Sequence, residues 1–226
     1  MTIHVLVEGP SERVLLERWA TRLMRDAEVR VHPHQGKGTL PAKVGMRPDP
    51  SRRGLLDQLP AKLRGFSSSL KPLTDAVMVL VDADDDDPAD LARSIEAVAK
   101  KVAPNLSVVV RLAVEETEAF YLGDLNALAR TFPEADLRAA RRYQADSICG
   151  TWELFGRIVG DGGGNKVAWA EAMGPALTVR PAKSRSPSFR GLISGLLSLV
   201  SPAARRTKVR AYRHLPKKRR ASGGRR

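Results

Sequence analysis

Carboxylates follow two apolar runs of the sequence, each about as long as a β-strand. Glu8 and Glu12 come just after the first run, and Asp82 and Asp84 come just after the second. Runs rich in Val and Leu are typical of strands that are buried on both faces of a parallel sheet. Ligands bind at the carboxyl edge of such sheets, and Mg²⁺ prefers carboxylate oxygens. These residues therefore predict a magnesium site.

The spacing of these acids allows two interpretations. Asp82 and Asp84 are two residues apart, so on an extended chain both side chains point the same way. Glu12 follows Glu8 by one helical turn, so both can face one point. Helix capping is the competing interpretation, because acids favour helix N-termini and residues 84–87 could form a solvated cap. Capping explains Glu8 and Asp82 less well, since both adjoin buried strands.

The strands and helices that would position these acids follow from hydrophobic periodicity and from the residues that typically begin or end helices and strands. The first 122 residues predict the order β-α-β-(α)-β-α-β-α, which indicates an α/β fold with a mostly parallel sheet flanked by helices. We expect Ser11 to cap the first helix, and Asp87 to cap another whose first residue is Pro88. The predicted strands are 3–7, 29–31, 75–81 and 106–114; the predicted helices are 11–27, 55–66, 88–103, 115–122 and 125–132.

The pattern changes after residue 132, which suggests three regions. We expect an α/β domain at 1–132, a helical extension packed on it at 133–201, and a disordered basic tail at 202–226. In the extension, apolar spacing predicts four helices, at 135–144, 152–159, 166–173 and 189–199.

The charge of the chain is concentrated in its tail. The net charge is +13, yet the tail holds eleven Lys or Arg and no acid, which leaves the other residues at +2. Such a tail can bind a phosphate backbone through counterion release, without sequence preference. A solubilising tail is the alternative. The basic residues that we assign to nucleic-acid binding are Arg205, Arg206, Lys208, Arg210, Lys217, Lys218, Arg219 and Arg220.

Cysteine content and apolar run length bear on location. Cys149 is the only cysteine, so the chain forms no disulfide within itself, which fits a reducing cytosol. No run approaches eighteen apolar residues, and no signal segment precedes the first strand. We therefore expect a cytoplasmic protein that does not enter the membrane.

Three acidic motifs together resemble the Toprim fold, which topoisomerases, bacterial primases and several nucleases share. The motifs are the Glu-Gly-x-Ser-Glu turn at 8–12, the Asp-x-Asp at 82–84, and a downstream glutamate. More narrowly, the chain resembles family 4276 of the domains of unknown function, a Toprim-like bacterial group discussed with phage defence and related to nucleases of the overcoming-lysogenisation-defect type. The resemblance spans roughly residues 3–200 and includes three further stretches, at 34–38, 115–124 and 186–189.

The resemblance implies roles for individual residues. Glu8 would act as general acid or base, or as a metal ligand, and Asp82 and Asp84 would be metal ligands. Glu118 would supply the later carboxylate, with Glu115 as the alternative. The complete set that we assign to Mg²⁺ or Mn²⁺ is Glu8, Glu12, Asp82, Asp84 and Glu118.

Two lysines are candidate contacts for substrate phosphate, again from their positions in the resemblance. Lys37 lies in a Gly-Lys-Gly stretch, where a solvated lysine in a turn is an equally good interpretation. Lys166 opens a predicted helix, where ordinary packing is the alternative. His32 and His34 could face one way, but a hard cation prefers oxygen.

The function that we predict is metal-dependent hydrolysis of nucleic-acid phosphodiesters by a Toprim-like nuclease, in phage defence or genome maintenance. We expect DNA in preference to RNA, and a partner protein such as an ATPase. One alternative is a non-catalytic nucleic-acid-binding or regulatory subunit; another is a nucleotide- or phosphate-metabolising enzyme on the same fold. No separate cleavage domain with a nucleophilic tyrosine, as a topoisomerase needs, is evident.

Overall fold

A computed structural model describes residues 1–45, 47–147, 150–162 and 164–201, and shows a four-stranded sheet whose strands are all parallel. The strand order is β2-β1-β3-β4, so β1 and β3 form the centre of the sheet. The predicted α/β class and parallel sheet are confirmed. The strands are β1 (Thr2–Val7), β2 (Glu28–Pro33), β3 (Asp75–Asp82) and β4 (Val108–Ala113).

The central strands are apolar because both of their faces are covered. Val5 pairs with Met78, and these two side chains belong to the hydrophobic core on one face. Leu6 pairs with Val79, and these belong to a second core on the opposite face. Alternate residues of one strand therefore enter different cores.

Helices flank both faces. They are α1 (Pro10–Leu23), α2 (Leu55–Ser69), α3 (Pro88–Val102), α4 (Glu118–Leu122), α5 (Leu125–Thr131), α6 (Leu137–Arg142), α7 (Thr151–Val159), α8 (Lys166–Met173) and α9 (Pro187–Val200), with a short 3₁₀ turn at Pro181–Lys183. Buried residues of α2 and α3 pack with the second core, whereas those of α1, α8 and α9 pack with the first. None of the helices in the described ranges is long and apolar enough to cross a bilayer.

Two predicted helix starts had different outcomes. The cap of α3 is confirmed, because the Asp87 side chain accepts a hydrogen bond from the Asp90 amide at 2.9 Å and Pro88 is the first helical residue. The prediction that Ser11 caps α1 is wrong. The N-cap position belongs to Gly9, the helix begins at Pro10, and the Ser11 hydroxyl donates to the Glu12 carboxylate instead.

Helices from the later part of the chain contribute to the same core as the sheet. The Phe189 ring of α9 lies 5.1 Å from the Trp19 ring of α1 and 5.0 Å from the Phe120 ring of α4, centroid to centroid. All three side chains are fully buried. The predicted tail, with its eight basic residues assigned to nucleic acid, lies outside the described residues, as does Cys149.

Replacing Phe189 by alanine should lower the free energy of unfolding by about 3–5 kcal/mol, because it leaves a cavity beside the buried rings of Trp19 and Phe120. Chemical denaturation of the purified variants measures this change. Leu197→Ala, on the same helix, is the control, since Leu197 is 41% exposed and its truncation should cost about 0.5 kcal/mol. Equal losses in the two variants would contradict the packing described here.

Candidate functional site

The parallel pairing of β1 and β3 brings two carboxylates to one edge of the sheet. Glu8 is the residue after β1, and Asp82 is the last residue of β3. A carboxylate oxygen of Glu8 accepts a hydrogen bond from the Asp82 backbone amide at 2.8 Å. Glu12, in the first turn of α1, and Glu118, the first residue of α4, reach the same region. We call Glu8, Glu12, Asp82 and Glu118 the carboxylate cluster.

Glu12 is held by two hydroxyl groups. Its Oε1 atom accepts hydrogen bonds from Ser11 Oγ at 2.8 Å and from Thr117 Oγ1 at 3.3 Å, and the residue is only 6% exposed. Thr117 precedes Glu118, so this contact joins the start of α1 to the start of α4. The sequence analysis did not identify this role for either residue. In the sequence, the only indication of this role is that Ser11 and Thr117 each adjoin a candidate acid.

Three oxygen atoms of the cluster are buried without a hydrogen-bond partner among the described residues. They are Asp82 Oδ1 and both carboxylate oxygens of Glu118. Glu118 is 1% exposed, and the ammonium of Lys166 lies 3.7 Å from its Oε2 atom. A buried carboxylate oxygen without a hydrogen bond costs free energy, and such atoms are rare in native structures.

The acids of the cluster share one electrostatic environment. Burial raises the pKa of Glu8 to about 7; the Asp82 amide opposes this shift, and the charges of Asp84 and Glu12 add to it. Burial also raises the pKa of Glu118 to about 7, against the opposing charge of Lys166. The pKa of Asp82 is raised well above its usual value by burial and then by Glu12, Glu8 and Glu118. Clustered carboxylates with raised pKa values are typical of functional sites.

Asp84 is not on extended chain with Asp82, in contrast to the prediction from their spacing. The strand ends at Asp82, and Asp84 has a left-handed φ of 47°, so the extended-chain argument for a shared direction does not hold here. Its half-exposed carboxylate binds the Lys37 ammonium at 3.0 Å, and the same ammonium contacts Asp86 at 2.7 Å and the Ala83 carbonyl at 2.9 Å. Lys37 therefore lies at the edge of the site, held by two acids.

Lys166 contacts the cluster from α8. Its ammonium lies 2.9 Å from Glu116 Oε1 and 5.4 Å from the centre of the Trp152 ring, in addition to its contact with Glu118. Burial alone would lower the pKa of Lys166, but the carboxylates of Glu118 and Glu116 outweigh that effect and raise it. The lysine is therefore charged at neutral pH. The hydrogen bonds that Lys37 donates to Asp86 and Asp84 likewise outweigh burial and raise the pKa of Lys37.

The three neighbouring glutamates have different partners. Glu115 accepts hydrogen bonds from the backbone amides of Gly150 and Thr151, at 2.7 and 3.1 Å, and from the Thr151 hydroxyl. Glu116 accepts one from the Trp152 amide at 2.9 Å. Both therefore bind the N-terminus of α7, whereas the charge of Glu118 acts on Asp82. The geometry thus favours Glu118 as the glutamate of the cluster.

The other stretches of the resemblance make structural contacts. Ser186 caps α9 by accepting a hydrogen bond from the Phe189 amide at 3.1 Å, and its hydroxyl donates to Asp146 at 2.6 Å. His34 contacts the Val7 carbonyl through Nδ1 at 2.9 Å, while His32 lies 3.0 Å from the His4 ring nitrogen. These two histidines therefore have separate partners.

The residue types of the cluster fit a hard divalent cation, because all donors are carboxylate oxygens and three of them lack hydrogen bonds. As the side chains stand, no group of three or more His, Cys, Asp or Glu within the described ranges is placed to hold a metal ion. The donor chemistry and the oxygens without hydrogen bonds thus fit a cation, and a shared binding point requires side-chain rotation.

Asp82→Asn should raise the free energy of unfolding at about pH 8 by about 1–3 kcal/mol, since it removes a carboxylate that Glu12, Glu8 and Glu118 crowd and whose Oδ1 atom has no hydrogen bond among the described residues. Acids whose pKa is raised by folding stabilise the fold below their ordinary pKa. That contribution is lost as pH rises through about 7 for Glu8 and Glu118. The increase in the free energy of unfolding that Asp82→Asn causes should therefore become smaller toward pH 4.5. Thermal unfolding at both pH values measures it.

Two comparisons complete this test. Asp85→Asn removes an exposed carboxylate from the same acidic run and should leave stability unchanged. Added Mg²⁺ or Mn²⁺ should raise the unfolding temperature of the wild type more than that of Asp82→Asn. Identical pH and cation dependence in all three proteins would show that the cluster carries no unfavourable charge. Because the histidines are common to all three proteins, their own titration cancels.

Comparison with known proteins gives a family but no characterised relative. Neither the curated proteins nor the solved structures include a match. A family model described as a domain of unknown function, DUF4276, matches residues 7–197, which include the whole carboxylate cluster and both lysines beside it. The chain belongs to the DUF4276 family.

Proposed function

We propose that this protein is a metal-dependent nuclease of the Toprim-like kind, which hydrolyses phosphodiester bonds of nucleic acid. The observation that carries the proposal is the set of buried oxygens of Asp82 and Glu118, at the carboxyl edge of the sheet, that have no hydrogen bond among the described residues. Their burial destabilises the fold unless a cation joins them. The order of the acids, one after β1 and another at the end of the adjacent β3, is compatible with the Toprim resemblance.

In this proposal the carboxylate cluster holds Mg²⁺ or Mn²⁺, with Asp84 as a further ligand at its edge. The bound cation would activate water and stabilise charge that develops on the phosphate. Glu8 has a pKa of about 7, so it can hold or release a proton near neutral pH, as a general acid or base must. Lys37 and Lys166 supply positive charge on either side for the phosphates.

A second candidate is a non-catalytic subunit that binds nucleic acid or regulates a partner such as an ATPase. It is favoured by one observation: no group of described carboxylates converges on a metal position as the side chains stand. The two lysines would then neutralise the acids permanently. In either case we propose action in the cytoplasm, on DNA in preference to RNA, in phage defence or genome maintenance.

The purified chain should cleave nucleic acid with Mg²⁺ or Mn²⁺ and not with EDTA. Plasmid DNA, single-stranded DNA and structured RNA are the substrates to compare, by gel electrophoresis. Glu8→Gln and Asp82→Asn should each reduce the cleavage rate by at least about a hundredfold, because each removes a charge from the cluster.

Asp85→Asn is the matched control, since it removes an exposed carboxylate three residues from Asp82 and should cleave like the wild type. Cleavage that survives in Glu8→Gln and Asp82→Asn would come from a contaminant or another site. Binding without cleavage in every protein would favour the non-catalytic subunit. Hydrolysis of free nucleotides alone would indicate the nucleotide-metabolising alternative.

Removal of residues 202–226 should weaken nucleic-acid binding and flatten its salt dependence, because the segment carries eleven basic side chains and no acid. Each phosphate contact that is lost lowers the slope of log K against log salt by about 0.9 on duplex DNA. Fluorescence anisotropy over a salt series measures the slope. Removal of residues 216–226 alone, with six basic side chains, should give about half the change; an unchanged slope would indicate a merely solubilising tail.

A further inference from the structure

A basic loop leaves the edge of the sheet beside Glu8 and returns to it. At its start, the Gly36 amide donates to the Glu8 carbonyl at 2.9 Å. At its end, Arg53 accepts a hydrogen bond from the Gln35 amide at 3.1 Å, and the Leu55 amide donates to the Gly36 carbonyl at 2.8 Å. Both ends of the segment 37–53, which we call the basic loop, are therefore fixed next to the carboxylate cluster.

The start of the loop is packed tightly against the start of α2. A Cβ atom on Gly54 would lie 2.6 Å from the amide nitrogen of Gly38, and Gly38 has a left-handed φ of 66°. The Asp57 carboxylate accepts a hydrogen bond from the Thr39 amide at 3.3 Å and pairs with Arg52 at 2.6 Å. These contacts hold the loop on α2.

A cavity of about 370 Å³ lies between the basic loop and α2. This volume is within the range of small-ligand sites. Its apolar wall is formed by proline and alanine side chains, and its polar lining consists of three basic side chains, those of Lys43, Arg47 and Arg52, and of two acids, Asp49 and Asp57. The apolar residues are Pro41, Ala42, Pro48, Pro60 and Ala61.

The charge that this cavity offers to a ligand is positive. Lys43 and Arg47 are exposed, and neither forms an ion pair with any residue that the structure describes. The two acids of the lining are already engaged, since Asp57 pairs with Arg52 and Asp49 accepts hydrogen bonds from the amide and hydroxyl of Ser51 at 2.9 and 2.7 Å. An anion therefore meets two cations that form no ion pair within the part of the chain that the structure describes.

We propose that this cavity binds one nucleotide of a nucleic-acid strand, with the base against the proline and alanine wall and the phosphate at Lys43 and Arg47. The inference rests on the proposed function and names a substrate subsite for it. Pro41 is four residues from Lys37, so their Cα atoms are at most about 14 Å apart. A strand whose phosphate reaches Lys37 can thus place a nearby nucleotide in the cavity.

The test measures binding without cleavage, in EDTA, with the full chain. The probe is a fluorescein-labelled single DNA strand of about twelve nucleotides, followed by anisotropy at several salt concentrations. The double variant Lys43→Ala/Arg47→Ala should raise the Kd about tenfold and lower the salt slope by about 1.4, because two phosphate contacts are lost. A Kd and slope equal to those of the wild type would overturn the proposal.

Two further variants separate the cavity from general charge. Lys100→Ala/Lys101→Ala removes the same charge from the last turn of α3, outside the lining of the cavity, and should change the Kd less than twofold. Ala61→Leu fills the cavity without changing charge and should weaken binding severalfold. An equal loss in both double variants, or no loss in Ala61→Leu, would overturn the assignment to the cavity.

Competition with a free nucleotide distinguishes the source of the ligand. Deoxyadenosine monophosphate should displace the strand only at concentrations far above the Kd of the strand. Displacement near that Kd, abolished in Lys43→Ala/Arg47→Ala, would assign the cavity to a free nucleotide and overturn the strand proposal. Because no step requires cleavage, loss of binding in the variants would still support the subsite if the chain proved inactive as a nuclease.

Discussion

Buried carboxylate oxygens that lack hydrogen bonds are the constraint on which the arrangement of the described residues depends. A parallel sheet sends the carboxyl ends of β1 and β3 to one edge, and the chain places Glu8 and Asp82 there. The hydroxyls of Ser11 and Thr117 satisfy part of Glu12, yet Asp82 Oδ1 and the Glu118 oxygens lack hydrogen bonds among the described residues. The hydrophobic cores on both faces of the sheet must supply the stability that this edge removes.

Two lysines with different acidic partners lower the electrostatic cost of gathering these carboxylates. Lys37 binds Asp84 and Asp86, and Lys166 binds Glu116 and approaches Glu118. Under the proposed function, a cation that joined the carboxylates would compete with the lysines, and the lysines would become available to phosphate. Metal binding would free the lysines for phosphate, and phosphate binding would free the carboxylates for the metal. Metal binding and substrate binding would therefore favour one another.

The sequence predicted the elements of the sheet well, because their signals are local. The apolar runs that end at Glu8 and Asp82 became the central strands, and the Asp87-Pro88 cap became the start of α3. Ser11 was misassigned because a hydroxyl before an acid fits either a cap or a side-chain contact. The left-handed conformation of Asp84 and the contacts of Glu115 with α7 depend on tertiary structure, which no local spacing indicates.

The contacts of Glu115 and Glu116 with α7 also affect the order in which parts of the structure can form during synthesis. Glu115 requires the amides of Gly150 and Thr151, and Glu118 has its ion pair with Lys166. Strands β1 to β4 leave the ribosome before any of these partners exists. On a nascent chain the sheet can pair first, while its acidic edge remains incomplete until α8 has been synthesised. A ribosome-bound fragment that ends before α7 would therefore carry the acids without their final geometry.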